Sequence, residues 1–339
     1  MKKIELVDFL KGYSIFTIVL YHLSQQLHLS AFFYACTLFG GTGAHLFILL
    51  SGFTLFLSYQ NKKTNYSHFL KKRFKKIYLP YALVIIISAS LALFWPIFPK
   101  SIYAFLGNIL LYNMFDNNII NTYGAHIWFI ATIIQLYLVF FVLLKLKKIL
   151  GNKNFFLISI FVSLSWSILL IYLEKADIRI WNSFFLQYLF EFVLGMILAD
   201  WMTTGKLQYY YQKIKSWQLV VLFFLSTCLY AGLALGLGTT GRVLNDFPAL
   251  IAYASLALLI FRLKLNILKK FFVYTGIISY SLYLTHFLVI ELLIFFYKTQ
   301  HIAINLATLF LGLLLIYLVA KLYYFLLQTI LSPTTNKKL

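Results

Sequence analysis

The stretch KGYSIFTIVLYH, residues 11–22, sets a lysine at one end of an apolar run and a histidine at the other. On one helix, at about 1.5 Å per residue, Lys11 and His22 would lie roughly 16 Å apart. That is about half of a bilayer's hydrocarbon core. A cation near the base of an apolar helix and an imidazole well inside it are costly in lipid, so they mark function once the run is shown to be a membrane span.

The composition shows it. The chain has 339 residues, of which 62% are hydrophobic and 11% charged, and its mean hydropathy is +0.86. Soluble domains carry about 25% charged residues. A water-soluble fold of this composition would expose far too much apolar surface, so the chain reads as an all-α polytopic membrane protein. The first run is too long, and lacks the small-residue site, for a cleaved signal peptide.

Apolar runs at about 10–29, 39–59, 78–98, 126–144, 154–173, 183–202, 217–236, 247–261, 271–296 and 302–327 predict about ten transmembrane helices. The segment 101–115 is too short and interrupted to span, and reads as re-entrant or interfacial. With the N-terminus inside, 23 of the 29 Lys and Arg fall in inner segments and five (Lys100, Lys175, Arg179, Arg242 and Lys298) in outer ones. This bias predicts cytoplasmic termini at both ends. The net charge of +20 is spread between apolar runs and forms no single basic patch, which argues for a lipid bilayer as partner and against nucleic acid. Cys36 and Cys228 make no metal spacing. One transmembrane domain is expected over 1–331, followed by a short cytoplasmic tail at 332–339, with no inverted repeat of the transporter kind.

Few ionisable groups lie at membrane depth. His22, His45, His126 and His286 occupy four different runs at similar depth, Glu191 is expected in the middle of the sixth, and Glu291 in the outer part of the ninth. Alone, each histidine reads as a satisfied interhelical contact. Four converging at one level suit proton or acyl handling, and no local His spacing favours a metal. At the other face, FLKKRFKKIYLPY (69–81) gathers Lys71, Lys72, Arg73, Lys75 and Lys76. It fits a loop against anionic lipid heads or a clamp for a phosphate-rich ligand equally well.

Together these stretches resemble the acyltransferase-3 family of membrane acyltransferases. The Lys11–His22 spacing is similar to the family's Arg, ten residues, His. HLFILLSGF (45–53) is similar to its second-span motif, and Arg73 and Lys76 ahead of Pro80 and Tyr81 to its basic motif. HIWFI (126–130) and SYSLYLTH (279–286) are similar to its later elements. Three departures stand out: Lys11 replaces an arginine, Lys76 another, and His45 an aspartate.

The resemblance implies an enzyme of a bacterial cytoplasmic membrane, without the added SGNH hydrolase-like domain of larger members. Its expected reaction is O-acylation, most simply O-acetylation, of a surface glycan such as lipopolysaccharide or of a lipid-linked sugar. The donor would be acetyl-CoA or another acyl-CoA, with no metal. Lys11, Lys72, Arg73 and Lys76 would hold the CoA phosphates. His22 would be the base, with Glu191, Glu291 or His45 to orient it. His126, Trp128, Ser281, Tyr283 and His286 would line the acceptor site. The competing reading is a transporter of a glycan, lipid or acyl group.

Overall fold

The computed structural model describes residues 5–27, 30–263, 265–301 and 304–331. The predicted tail at 332–339 lies outside them. The described chain forms helices α1 (Glu5–Ser24), α2 (Ala31–Gly41), α3 (Gly43–Asn61), α4 (Tyr66–Arg73), α5 (Leu79–Phe94), α6 (Ile102–Ile109), α7 (Trp128–Tyr172), α8 (Arg179–Asn182), α9 (Leu189–Thr203), α10 (Lys206–Lys213), α11 (Ser216–Leu244), α12 (Asp246–Arg262), α13 (Asn266–Ile277), α14 (Ser279–Thr299) and α15 (Leu306–Leu331). No strand occurs among the described residues.

Seven helical stretches among the described residues are long and apolar enough to cross a membrane. The chain is therefore a polytopic, all-helical membrane protein. One of the seven, α7, is two rods joined at Gly151, whose φ of 69° breaks the helix. The rods match the separate runs predicted at 126–144 and 154–173. The remaining predicted runs, at 183–202 and 247–261, correspond to α9 and α12, of 15 and 17 residues.

Three boundaries differ from the sequence reading. The basic motif is helical: α4 runs through a π-helical turn, Phe74–Tyr78, into α5, and Pro80 follows just after that wider turn. The run at 271–296 is two helices, α13 and α14, that meet at Ile278. The sixth run becomes helical only at Leu189, so Glu191 sits in the first turn of α9 and not at mid-span. Side chains of α7 hold the preceding turns at depth. Thr132 Oγ1 donates to the Ser183 carbonyl (2.5 Å) and Gln135 Oε1 accepts from the Phe185 N–H (3.1 Å). Irregular backbone is tolerated there because protein groups satisfy it. Segment 101–115 is short helix and turn, with no helix long enough to span.

Close helix crossings position the site. At the α3–α9 crossing, a Cβ on Gly52 would lie 2.1 Å from the Phe192 carbonyl oxygen, and one on Gly195 2.0 Å from that of Leu49. Only glycine lets these backbones meet, as in other small-residue membrane interfaces. The far ends of the same helices are tied at Asp200. Its carboxylate accepts from Gln60 Nε2 (3.2 Å) and Asn152 Nδ2 (2.8 Å) and pairs with Lys147 Nζ (3.3 Å). The core is rich in aromatic edge-to-face contacts, such as Phe9 with Phe261 and Phe272 at 5.0 and 5.2 Å.

Candidate functional site

Two cavities meet inside the bundle. One, of about 220 Å³, lies toward the Ser24 end of α1 and is lined by His22, Gln25, His126, Trp128 and Arg179 among others. The second, of about 190 Å³, lies toward the Glu5 end and is lined by Lys11, Arg73, Ser51, Tyr137 and Tyr280 among others. Phe47, Phe129 and Tyr283 line both. Their rings form a septum, with Phe129 6.1 Å from Phe47 and 5.3 Å from Tyr283. The sequence did not signal this septum, because two of its members are ordinary phenylalanines in apolar runs.

The histidine cavity brings together three of the four predicted imidazoles. The His22 ring lies 5.4 Å from that of His286, and His126 lies 4.7 Å from His286, centroid to centroid. Phe287 stacks on His126 at 5.2 Å and meets His22 edge-on at 5.6 Å. His22 Nδ1 donates to Gln25 Oε1 at 3.3 Å, one helical turn on. That bond places the proton on Nδ1 and leaves Nε2 as the basic atom. His286 is fully buried behind the other two and does not line the cavity.

His126 is held from both sides. Tyr283 donates a hydrogen bond from its hydroxyl to the His126 carbonyl. Gly124, at φ +128°, turns the chain just before it, and a Cβ there would lie 2.7 Å from the His126 ring. Trp128 stacks on Tyr188 (5.5 Å) and carries the Arg179 guanidinium 5.4 Å from its ring centre. Ser281 is buried and lines neither cavity.

His45 and Glu191 stand apart from this cluster and are joined to each other instead of to His22. His45 Nδ1 donates to Glu191 Oε1 at 2.5 Å, and His45 Nε2 lies 3.7 Å from Asp246 Oδ1. Neither touches His22, whose partner is Gln25. The α3–α9 crossing brings the first turns of two helices together, so His45 serves the carboxylates of α9 and α12. Asp246 also accepts from Gln187 Nε2 (2.5 Å). Sequence reasoning missed Gln25 and Asp246. Gln25 was readable only as a polar residue three places after His22, and Asp246 as a loop acid beside Pro248.

In the other cavity, Lys11 and Arg73 converge as expected. The Arg73 guanidinium lies over Phe69 (5.5 Å) and Tyr137 (5.9 Å), and its buried Nε has no hydrogen-bond partner among the described residues. Lys72 and Lys76 are exposed and do not line the cavity.

A basic pocket and an imidazole pocket thus share a wall inside a helical membrane bundle. The model of the acyltransferase-3 family, described as an acyltransferase domain, matches residues 4–325. The chain belongs to that family and is a membrane acyltransferase. No curated protein matches it, and no solved structure does.

Proposed function

We propose that this protein moves an acyl group, most simply acetyl, from cytoplasmic acyl-CoA to a hydroxyl of a surface glycan or lipid-linked sugar on the far side of a bacterial cytoplasmic membrane. The observation that carries this reading is the pair of adjoining cavities, with Phe47, Phe129 and Tyr283 as their common wall.

The CoA phosphates would rest near Lys11 and Arg73, with Lys72 and Lys76 at the exposed mouth. Arg73 can bind phosphate with two parallel hydrogen bonds, and Lys11 as a point charge. Both protein termini would then face the cytoplasm. The thin pantetheine arm would pass the aromatic septum and deliver the thioester carbonyl to the histidine cavity. The acceptor would enter from the Ser24 end, its ring against Trp128. His22 Nε2 takes the hydroxyl proton as the oxygen attacks the thioester carbon. The tetrahedral intermediate collapses with loss of the CoA thiolate, which takes up a proton. His126, at the cavity wall, suits stabilisation of the oxyanion. His286 positions His22 and His126 from behind.

The test is consumption of acetyl-CoA by purified protein in detergent, with and without a pool of glycans from the producing cell. Acceptor-dependent release of CoA with an acylated product supports the reading. Absence of both release and acylated product, with acetyl, succinyl and longer acyl-CoA alike, would overturn it.

A further inference from the structure

A third polar cavity, of about 260 Å³, opens between the α7–α9 connection and the junction of α11 with α12. Arg179 and Asn182 line it from one side, Arg242 and Asp246 from the other, with Gln187 and Tyr188 between. Arg179 also lines the histidine cavity, so the two spaces are neighbours.

The arginines are the informative residues. The chain satisfies almost all its positive charge with lysine, and its arginines are Arg73, Arg179, Arg242 and Arg262 alone. Arg262 has a structural task, donating to the carbonyls of Ile214 (2.7 Å) and Tyr211 (2.8 Å). Arg73 lies in the basic cavity. The other two, 63 positions apart in sequence, come together around this one cavity. Among the described residues, no carboxylate lies within ion-pair distance of either guanidinium. Arg179 is steadied over Trp128, which is stacked in turn on Tyr188.

Two acids also line the space. Asp246 is engaged by Gln187 Nε2 and lies near His45 Nε2, and Asp177 is exposed. That leaves two planar, five-donor cations without anionic partners beside the acyl-transfer cavity. Such a fork matches carboxylate and phosphate geometry, where lysine would offer only a point charge.

We propose that this cavity binds an anionic group of the acceptor, the carboxylate of an acidic sugar or the phosphate of a glycosyl phosphate. The inference rests on the reading that the acceptor occupies the histidine cavity. The hydroxyl to be acylated lies at His22, the sugar ring against Trp128, and the anion between Arg179 and Arg242. The protein is thereby selective for acidic glycans.

The test is direct titration of the purified full-length protein without acyl-CoA, so that its result does not depend on acyl transfer. The probes are a trisaccharide ending in a uronic acid, its carboxyl-reduced neutral counterpart, and a hexose 1-phosphate. At low ionic strength at least one acidic probe binds the wild type about tenfold or more tightly than the neutral one, the scale of one charge-assisted hydrogen bond. Added salt shrinks that advantage. Arg179→Gln and Arg242→Gln abolish it, while Arg179→Lys and Arg242→Lys retain part. The acid that binds identifies the source as carboxylate or phosphate. Equal affinity for acidic and neutral probes, no measurable binding of either acid, or an advantage that survives salt and both glutamine variants overturns the proposal. Failure of acyl transfer itself would instead appear as absent CoA release.

Discussion

The imidazole of His286 lies 4.7 Å from that of His126, and its Nδ1 donates to two carbonyls, those of Leu282 (3.0 Å) and Tyr283 (2.8 Å). Carbonyls only accept, so the Nδ1 of His286 carries the proton and Nε2 the lone pair. Among the described residues His286 Nε2 has no hydrogen-bond partner, and neither does His126 Nδ1. The site therefore keeps two unclaimed ring nitrogens in a buried space. Nitrogen-15 spectra of histidine-labelled protein are expected to show His286 as the Nδ1–H tautomer. A signal from the Nε2–H form would contradict this geometry.

Loss of the proposed base has a defined size. Replacing His22 with Ala is expected to lower transfer by about 10²- to 10⁴-fold, the usual worth of a positioned general base. The protein should still elute as a folded species in detergent, because the hydrogen bond His22 makes is local, to Gln25 in the turn just after α1. Near-normal turnover in that variant would remove His22 from the mechanism.

At the opposite cavity, charge is the expected currency. Lys11→Gln and Arg73→Gln should each weaken acyl-CoA binding and leave acceptor affinity little changed. Arg73→Lys should be intermediate, since it keeps the charge but loses the fork. Raised salt should weaken wild-type binding through screening. Binding of CoA that ignores both salt and these substitutions would place the donor elsewhere.

The α3–α9 crossing makes a prediction about stability. Gly195→Ala places a Cβ 2.0 Å from the Leu49 carbonyl oxygen, a backbone atom that cannot swing aside. The helices must part, and overpacking of this kind costs about 1–3 kcal/mol. Gly232→Ala in α11, where nothing lies within 4 Å of the added carbon, is the control. It should be neutral or slightly stabilising. Thermal unfolding followed by size-exclusion fluorescence should show a lower Tm for Gly195→Ala alone.

Much of this arrangement was legible in the sequence because lipid leaves few options. Apolar runs of spanning length must become helices, and each of the ten predicted runs has a helical counterpart. Intramembrane histidines are rare enough that His22, His126 and His286 could be singled out, and Lys11 and Arg73 could be read as one basic mouth. What stayed hidden was pairing across the bundle. Nothing in HLFILLSGF says that His45 faces Glu191 and Asp246, because that contact depends on where two glycines let α3 and α9 cross. Gln25 escaped because an amide near the end of a span reads as interfacial. Arg179 and Arg242 escaped as a pair because 63 residues separate them.

His45 gives the last prediction, and it follows from the acids around the imidazole. From the family pattern, with aspartate at this place, His45→Asp should restore an orienting carboxylate for His22. In the structure His45 instead lies between two acids, with Nδ1 at 2.5 Å from Glu191 Oε1 and Nε2 at 3.7 Å from Asp246 Oδ1. Glu191 is fully buried, and its other oxygen has no hydrogen-bond partner among the described residues. An aspartate here would set a third carboxyl group against two others, with no cation within ion-pair distance among the described residues. Like charges at this range suppress one another's ionisation, and a buried acid without a donor is costly. His45→Asp should therefore lower the melting temperature more than His45→Asn, whose amide can still donate to Glu191. The double variant His45→Asp with Glu191→Gln should recover part of the loss, because one acid has been replaced by a donor. Thermal unfolding of the three variants beside the wild type measures this directly. If His45→Asp is as stable as the wild type, the imidazole is not what holds Glu191 and Asp246 together.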